Sequence, residues 1–267
     1  MLRDIFIDDF VSEGGEQYDH FALSYEVAGP PLGSAPVVVV NHALTGNSTV
    51  TGERGWWSKL ISQEGAISPE SYTILAFNIP GNGYDGREAS DPERFTLKDV
   101  ARLFILGLEC LGLTRVYAII GASMGGALTW QMAYLQPELA EKIFPIACDY
   151  RASDWLLTQT LIQKQILRNS SEPLRDARIH AMSCYRTPQS LNARFTSTRQ
   201  GTAGQYDVES WLLYHGDALQ GRFKLSAYQV MTHLTYSIAV CEEAEELARI
   251  SSEIHMVSID SDLLFTP

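Results

Sequence analysis

The sequence predicts an α/β fold with a mainly parallel sheet, helices on both faces and an inserted helical lid. Three observations lead to this fold class. Short β-branched runs alternate with segments of helical periodicity. A strand, a Gly-x-Ser-x-Gly turn and a helix follow one another within residues 115–134. A long block of helical segments, residues 151–235, contains no convincing strand.

The N-terminal part of the chain supplies most of the predicted sheet. Residues 5–11 and 21–27 alternate in polarity on either side of Gly14-Gly15, which indicates an antiparallel pair. The unbroken valine run at residues 37–40 predicts a central strand. The next predicted elements are a short helix at 56–62, a strand at 72–78, a helix at 97–111 and a strand at 142–147.

The helical block divides the predicted core into two parts. Its helices are predicted at 155–167, 174–185, 208–220 and 227–234. The sheet pattern then resumes with a helix at 242–250 and a strand at 254–259. We therefore predict a core of residues 1–150 and 236–267, interrupted by a lid at 151–235.

The composition disfavours several classes of function. The 267 residues are 45% hydrophobic, enough for a sizeable core, and no apolar run is long enough to span a membrane. A net charge of -12 disfavours nucleic acid and anionic membranes as partners. The acidic N-terminus lacks the pattern of a signal peptide, and the four dispersed cysteines form no metal or redox motif. These features predict a cytoplasmic protein without a metal site.

The turn at Gly121–Gly126 has the features of a nucleophile elbow. A strand that turns so sharply into a helix needs small neighbours and holds the serine in a strained conformation. The strain lifts the Ser123 hydroxyl above the sheet at the positive N-terminal end of the helix. The Met124 N–H then points to the place where an oxyanion would form.

Two further segments complete the chemistry that a nucleophilic serine needs. The loop at residues 42–46 follows the valine strand and is placed to supply a second backbone oxyanion donor. The loop after the late strand offers Asp260 and Asp262 as the acid that orients a catalytic base.

The chain resembles the homoserine O-acetyltransferase family of α/β-hydrolase enzymes. The matching motifs are spread over core and lid, which makes the resemblance stronger than an elbow alone. They are NHALTG at 41–46, GWW at 55–57, GASMGG at 121–126, AMSCYRTPQSLNARF at 181–195, YDVESWLLYHG at 206–216 and SIDSDLLFTP at 258–267.

The resemblance implies a role for five residues. Ser123 would take the acetyl group from acetyl-CoA and pass it to the hydroxyl of homoserine, a ping-pong step of methionine biosynthesis. Leu44 and Met124 would give the backbone oxyanion donors. Asp262 would be the triad acid, ahead of Asp260, and Arg194 would hold the amino-acid substrate. The family implies acetyl-CoA as a co-substrate, no permanently bound cofactor, and a possible homodimer through the lid.

The sequence departs from the family pattern in two places. The catalytic histidine of the family follows the acid, whereas all six histidines here precede Asp262. We therefore expect the protein to continue beyond Pro267 and the catalytic histidine to lie there, so that residues 1–267 alone would be inactive. The segment IPGNGYDG at 79–86 replaces a longer family loop, which leaves the acceptor open.

Three other functions stay open at this point. An esterase or thioesterase would use the same serine with water as the acceptor, and succinyl-CoA or serine could replace the expected donor or acceptor. A dinucleotide-binding oxidoreductase is disfavoured because no acidic residue ends a suitable next strand about 20 residues after the turn. A non-catalytic binding protein is compatible with the absent histidine.

Overall fold

Seven strands form one central sheet. The computed structural model describes residues 1–200 and 204–267, so residues 201–203 of the predicted lid lie outside the described residues. The strands of the sheet are β1 (Arg3–Val11), β2 (Gln17–Ala28), β3 (Val37–Asn41), β4 (Thr73–Phe77), β5 (Val116–Ala122), β6 (Ala140–Ile146) and β9 (Glu253–Ile254), and a separate hairpin pairs β7 (Arg199–Gln200) with β8 (Gln205–Tyr206). The sheet order is β1-β2-β4-β3-β5-β6-β9.

The central strands are parallel, as the sequence predicts. β3 pairs in parallel with β4 and β5, and β6 pairs in parallel with β5 and β9. Every residue of β3 and β4 is buried, which explains why these strands read as continuous apolar runs. β2 is antiparallel to both β1 and β4, which confirms the predicted N-terminal pair.

Among the described residues, seven α-helices surround or follow the sheet. They are α1 (Leu97–Cys110), α2 (Met124–Leu135), α3 (Asp154–Asn169), α4 (Pro173–Cys184), α5 (Pro188–Arg194), α6 (Asp207–Gln220) and α7 (Leu225–Tyr236). α1 and α2 pack on one face of the sheet within the main hydrophobic core. α1 starts at a capping box in which Thr96 accepts a hydrogen bond from Asp99 N and Asp99 accepts one from Thr96 N.

The opposite face of the sheet is covered by turns. The short helix predicted at 56–62 is wrong: Leu60 N and Ile61 N both donate to Trp57 O, and the chain turns instead of continuing as a helix. Trp56 and Trp57 stack with their ring centroids 4.8 Å apart, and Trp56 Nε1 donates to Asn47 O at 2.8 Å. The two indoles cover the valines of β3 on this face, so apolar burial rather than helix propensity decides the local conformation.

The remaining differences from the predicted elements lie in the second half of the chain. The hairpin of β7 and β8 corrects the expectation of a block without strands. The predicted helix at 242–250 is a 3-10 helix, Ala244–Arg249, and the predicted strand at 254–259 is reduced to β9 and one further bridge at Val257. Val257 pairs with Ile146, so the chain still runs along β6 towards its carboxyl end.

The helical block packs onto the carboxyl edge of the sheet. Leu174, Leu219 and Tyr228 form a small core between α4, α6 and α7, and Leu44 of the loop after β3 packs against it. α7 also contributes Met231 to the main core. No helix among the described residues is both long and apolar enough to cross a membrane.

Candidate active site

Ser123 occupies a strained turn between β5 and α2. Its backbone angles are φ 57° and ψ -130°, a conformation with positive φ that residues other than glycine rarely adopt. Its N–H donates to Ile146 O at 2.9 Å, and its carbonyl accepts from Gly126 N at 2.8 Å and Ala127 N at 3.1 Å. The neighbouring strand and the helix therefore hold the strained residue in place.

Small residues around Ser123 are required by the space available. A Cβ on Gly121 would lie 2.1 Å from Gly125 O, and one on Gly125 would lie 2.3 Å from Asn41 O. A Cβ on Gly126 would lie 2.5 Å from Cys148 Sγ. These distances are shorter than any normal contact, so the turn can approach the ends of β3 and β6 only with glycine.

The Ser123 hydroxyl is available for chemistry. The side chain is half-buried, and within residues 1–200 and 204–267 no group forms a hydrogen bond with its hydroxyl. It lies at the N-terminus of α2, where unpaired backbone N–H groups and the helix dipole favour negative charge.

The two residues predicted as oxyanion donors lie on adjoining segments. Met124 is the first residue of α2, and Leu44 lies three residues after β3. The contact of Gly125 with the carbonyls of Asn41 and His42 places the loop after β3 against the first turn of α2. In the described part of the chain, neither Leu44 N nor Met124 N donates a hydrogen bond outside regular elements, so both are free to meet an oxyanion.

His42 is fixed as a structural residue. Its Nδ1 lies 2.8 Å from Ala43 O, and its Nε2 accepts from Ile79 N at 3.0 Å. This pattern requires a neutral ring with the proton on Nδ1. Complete burial lowers the pKa of His42 to about 4, so the ring stays neutral. His42 therefore supports the loop that carries Leu44 and does not act as a base.

The short loop after β4 completes this support. Asn78 accepts from Ser48 N at 2.9 Å and donates to Ser24 Oγ and Ser48 Oγ at 3.0 Å each. Asn82 donates to Asn78 Oδ1 at 3.1 Å and lies 3.2 Å from His42 Nε2. Asn82 of the segment IPGNGYDG and Asn78 just before it thus belong to a buried polar network beneath the loop after β3, a role that the sequence alone did not indicate.

Asp262 lies at the same edge of the sheet as Ser123. The bridge between Ile146 and Val257 carries the chain past the end of β6, five residues before Asp262. Asp262 is half-buried, and its Oδ1 accepts from Leu264 N at 2.8 Å and Phe265 N at 3.0 Å. Asp260 is exposed and accepts no hydrogen bond among the described residues, so the geometry favours Asp262 as the ordered acid.

Asp149 is a second carboxylate near Asp262 that sequence analysis missed. It is half-buried, and burial and the charge of Asp262 raise its pKa. Cys148 precedes it and packs against Gly126; burial raises the pKa of this thiol to about 12, so it stays protonated. Its position directly after a parallel strand was the only available signal for Asp149.

A small cavity separates the lid from the core. Its volume is about 40 Å³, enough for a few water molecules. Leu44 and Leu264 line it on the core side, and Gln163, Tyr185 and Tyr228 line it on the lid side. The cavity lies between the loop after β3 and the segment after Asp262.

Two arginines of the lid differ in their distance from this cavity. Arg194 is exposed at the end of α5, with its Cζ 5.4 Å from the centroid of the Trp211 ring. Arg178 is half-buried on α4, and its Cζ lies 5.5 Å from the ring of Tyr185, which lines the cavity. Within the described ranges neither guanidinium forms an ion pair. Sequence analysis predicted a role for Arg194 and overlooked Arg178.

Comparison with known proteins identifies the family that carries this site. A model of the α/β-hydrolase fold matches residues 36–229. A homoserine O-acetyltransferase of Symbiobacterium thermophilum is 30% identical over 306 aligned residues, which cover 96% of this chain and 79% of that protein. The chain belongs to the homoserine O-acetyltransferase family. It is therefore an enzyme of the α/β-hydrolase fold, and both predictions from the sequence are confirmed.

Solved structures agree with this assignment. The crystal structure of homoserine O-acetyltransferase from Staphylococcus aureus superposes with a TM-score of 0.86 at 25% identity, and the match covers 100% of this chain and 82% of that one. An acetylester hydrolase from Corynebacterium glutamicum superposes with a TM-score of 0.83 at 18% identity, covering 100% of this chain and 82% of its own. The second likeness shows the fold alone.

The histidines of this homoserine O-acetyltransferase family member contact groups other than Ser123 and Asp262. No described histidine forms a hydrogen bond with Ser123 or Asp262. Their contacts are with other groups: Asp8 for His20, Ala43 O and Ile79 N for His42, Gln163 for His180, Trp211 for His215, Glu93 for His233 and Glu253 for His255. Similarly, the described residues contain no cluster of side chains that could hold a metal ion.

Proposed function

We propose that this protein transfers an acetyl group from acetyl-CoA to the hydroxyl of homoserine through an acyl-enzyme on Ser123. The observation that carries the proposal is the strained Ser123, whose hydroxyl forms no hydrogen bond among the described residues and which directly precedes Met124 at the N-terminus of α2. The similarity to proteins named homoserine O-acetyltransferase supports the acyl group and the acceptor.

The proposed reaction has two symmetrical halves. In the first, Ser123 Oγ attacks the thioester carbonyl and loses its proton to a base oriented by Asp262, and the C–S bond breaks as CoA takes up that proton. The N–H groups of Leu44 and Met124 stabilise the oxyanion. In the second half, the homoserine hydroxyl attacks the acyl-enzyme, gives its proton to the same base, and Ser123 regains a proton as it leaves.

The lid decides between transfer and hydrolysis in this proposal. The same acyl-enzyme attacked by water would make the protein an esterase or thioesterase. The cavity between the lid and Leu44 borders the loop after β3, and an acceptor bound there would displace water that could otherwise attack the acyl-enzyme.

Acylation of the full-length protein tests the proposal. We expect acetyl-CoA alone to release CoA in one rapid equivalent and to add an acetyl group to the peptide that contains Ser123. Homoserine should then remove the group as O-acetylhomoserine. Intact and peptide mass spectrometry with thiol detection measures both steps. Rapid turnover of acetyl-CoA without an acceptor would favour the hydrolase, and the absence of an acetylated Ser123 would contradict the acyl-enzyme.

The acceptor's carboxylate needs a cation near the cavity. Buried carboxylates require a paired, hydrogen-bonded partner, and a guanidinium matches both oxygens. The family resemblance predicts Arg194 for this role, and that assignment stays a prediction. The position of Arg178 beside the cavity-lining Tyr185 supports Arg178 as the closer candidate.

Parallel lysine substitutions separate the two arginines. We expect Arg178→Lys to raise the homoserine KM about ten- to a hundredfold, because a point charge replaces a bidentate guanidinium. CoA release without acceptor should change little. Arg194→Lys is measured beside it. Arg249→Lys is the control, because Arg249 is exposed like Arg194 and its Cζ lies 4.8 Å from the centroid of the Tyr134 ring. A KM increase in Arg194→Lys alone would contradict Arg178 and support the family-based assignment.

The wider setting of the enzyme follows from the same proposal. Acetylation of homoserine would place the protein in methionine biosynthesis, with acetyl-CoA as co-substrate. All four cysteines are free, which supports a reducing compartment such as the cytoplasm. Exposed apolar side chains on the lid support a homodimer through that surface; Trp155 is 47%, Leu161 52% and Tyr214 66% exposed.

A further inference from the structure

The peptide unit between Ala43 and Leu44 is held by its carbonyl group. Ala43 O accepts hydrogen bonds from His42 Nδ1 at 2.8 Å and from Gly46 N at 2.9 Å. In a trans peptide unit the carbonyl and the N–H point in opposite directions, so fixing Ala43 O also fixes the direction of Leu44 N–H. The orientation of the predicted oxyanion donor therefore depends on how firmly His42 is held.

A chain of hydrogen bonds connects His42 to a carboxylate on β2. Asn82 Nδ2 lies 3.2 Å from His42 Nε2 and donates to Asn78 Oδ1 at 3.1 Å. Asn78 Nδ2 donates to Ser48 Oγ at 3.0 Å, and Ser48 Oγ donates to Glu26 Oε2 at 2.9 Å. Because a carboxylate can only accept, Glu26 takes the proton of the Ser48 hydroxyl and leaves the Ser48 oxygen free to accept from Asn78.

Glu26 also holds the end of the loop after β3 directly. Thr49 Oγ1 donates to the same carboxylate oxygen at 2.5 Å, and the hydroxyl oxygen of Tyr84 lies 2.6 Å from Thr49 Oγ1. The Glu26 side chain is only 18% exposed, so these hydrogen bonds form largely away from water, where they are stronger. The loop is thus held at two places, by His42 just before Leu44 and by Glu26 at residues 48–49.

We propose that Glu26 is a positioning residue that holds residues 42–49 so that Leu44 N–H meets the oxyanion formed when Ser123 attacks. The inference rests on the proposed function, in which Leu44 N–H is an oxyanion donor. Glu26 acts through the loop, so its loss slows formation of the acyl-enzyme more than it weakens substrate binding. A displacement of about 1 Å at a catalytic group can cost about a hundredfold in rate.

The rate at which a serine-directed phosphonate labels Ser123 tests the inference without acetyl-CoA. The full-length protein is compared with Glu26→Ala and with Glu26→Gln, which keeps a side-chain oxygen that can accept from Ser48 and Thr49. We expect labelling to be about ten- to a hundredfold slower in Glu26→Ala and within about threefold of the unsubstituted protein in Glu26→Gln. Asp19→Asn is the control, because Asp19 is an exposed acid on the same strand. Equal rates for Glu26→Ala and Asp19→Asn would overturn the inference.

A destabilised reference protein separates positioning from a general loss of stability. Ile7→Ala removes apolar volume from the main core on β1 and is compared at a temperature at which every variant is folded. Hydrogen exchange in the peptide of residues 43–50 should become faster in Glu26→Ala and stay unchanged in Ile7→Ala. If Glu26→Ala does not fold, Thr49→Val removes one donor to Glu26 and should slow labelling in the same direction. Equal slowing of labelling in Ile7→Ala would contradict a positioning role.

The acetyl-CoA half-reaction distinguishes this inference from the proposed function. In Glu26→Ala we expect CoA release to slow about ten- to a hundredfold with little change in the acetyl-CoA KM, because the residue positions a donor used in the transition state. A raised KM with an unchanged rate would assign Glu26 to binding and overturn the inference. If acetyl-CoA fails to acylate Ser123 in the unsubstituted protein, the proposed function fails, whereas the phosphonate rates still decide whether Glu26 positions the loop.

Discussion

Replacing Ser123 with alanine is expected to abolish acetyl transfer and to leave the fold intact. Loss of the attacking oxygen removes the acyl-enzyme, and comparable serine nucleophiles are worth about 10⁴-fold or more in kcat. The hydroxyl has no hydrogen-bond partner among the described residues, so its removal leaves no buried donor unsatisfied. We expect the free energy of unfolding to change by less than about 1 kcal/mol.

Two measurements check this result together. Steady-state CoA release reports turnover, and urea unfolding followed by circular dichroism reports stability. A serine-directed phosphonate should label the unsubstituted protein at Ser123 and leave Ser123→Ala unlabelled. Ser190→Ala, on the exposed surface of α5, is the matched control and should keep full activity. Activity near that of the control in Ser123→Ala would refute the serine mechanism.

Gly125→Ala is expected to damage both stability and catalysis. The added Cβ would lie 2.3 Å from Asn41 O and 2.8 Å from His42 O, and backbone atoms at the end of β3 cannot move away cheaply. Alanine gains about 1 kcal/mol over glycine in helix propensity, whereas overpacking of this kind costs about 3 kcal/mol or more. The clash therefore dominates, and we expect a net loss of at least about 2 kcal/mol.

The catalytic effect of Gly125→Ala arises from the loop that it displaces. Asn41 and His42 lead directly to Leu44, so a shift of the loop moves one oxyanion donor out of place, which costs about 10²- to 10³-fold in kcat. Gly14→Ala is the control, because its nearest heavy atom would be Ser12 Oγ at 3.7 Å. Unfolding and acylation rates are measured for both variants. A Gly125→Ala protein as stable and as active as Gly14→Ala would show that the elbow does not need this close approach.

The lid links these predictions to specificity. Leu44 belongs at once to the loop after β3, to the small cavity and to the apolar cluster between α4, α6 and α7. A change in how the lid packs would therefore move Leu44, the predicted oxyanion donor. Under the proposed function, acceptor binding would then influence whether an acyl-enzyme reacts with water or with homoserine.

The sequence by itself determined the fold class and the elbow. Buried parallel strands such as β3 and β4 appear as apolar runs, and a strand followed by Gly-x-Ser-x-Gly and a helix leaves few other conformations. These signals are local, because the residues that produce them are neighbours in the chain. Asp262, in the segment after the late strand, stays a prediction as the triad acid.

Only the tertiary structure decided which separate segments meet. Trp56 and Trp57 form a turn because they cover β3, a contact that overrides local helix preference. His42 is a structural residue because Ile79 N, from a distant loop, occupies its Nε2. Asp149 lies near Asp262, which is more than 100 residues later in the chain. Such contacts depend on long-range packing, and no short-range periodicity in the sequence reports them.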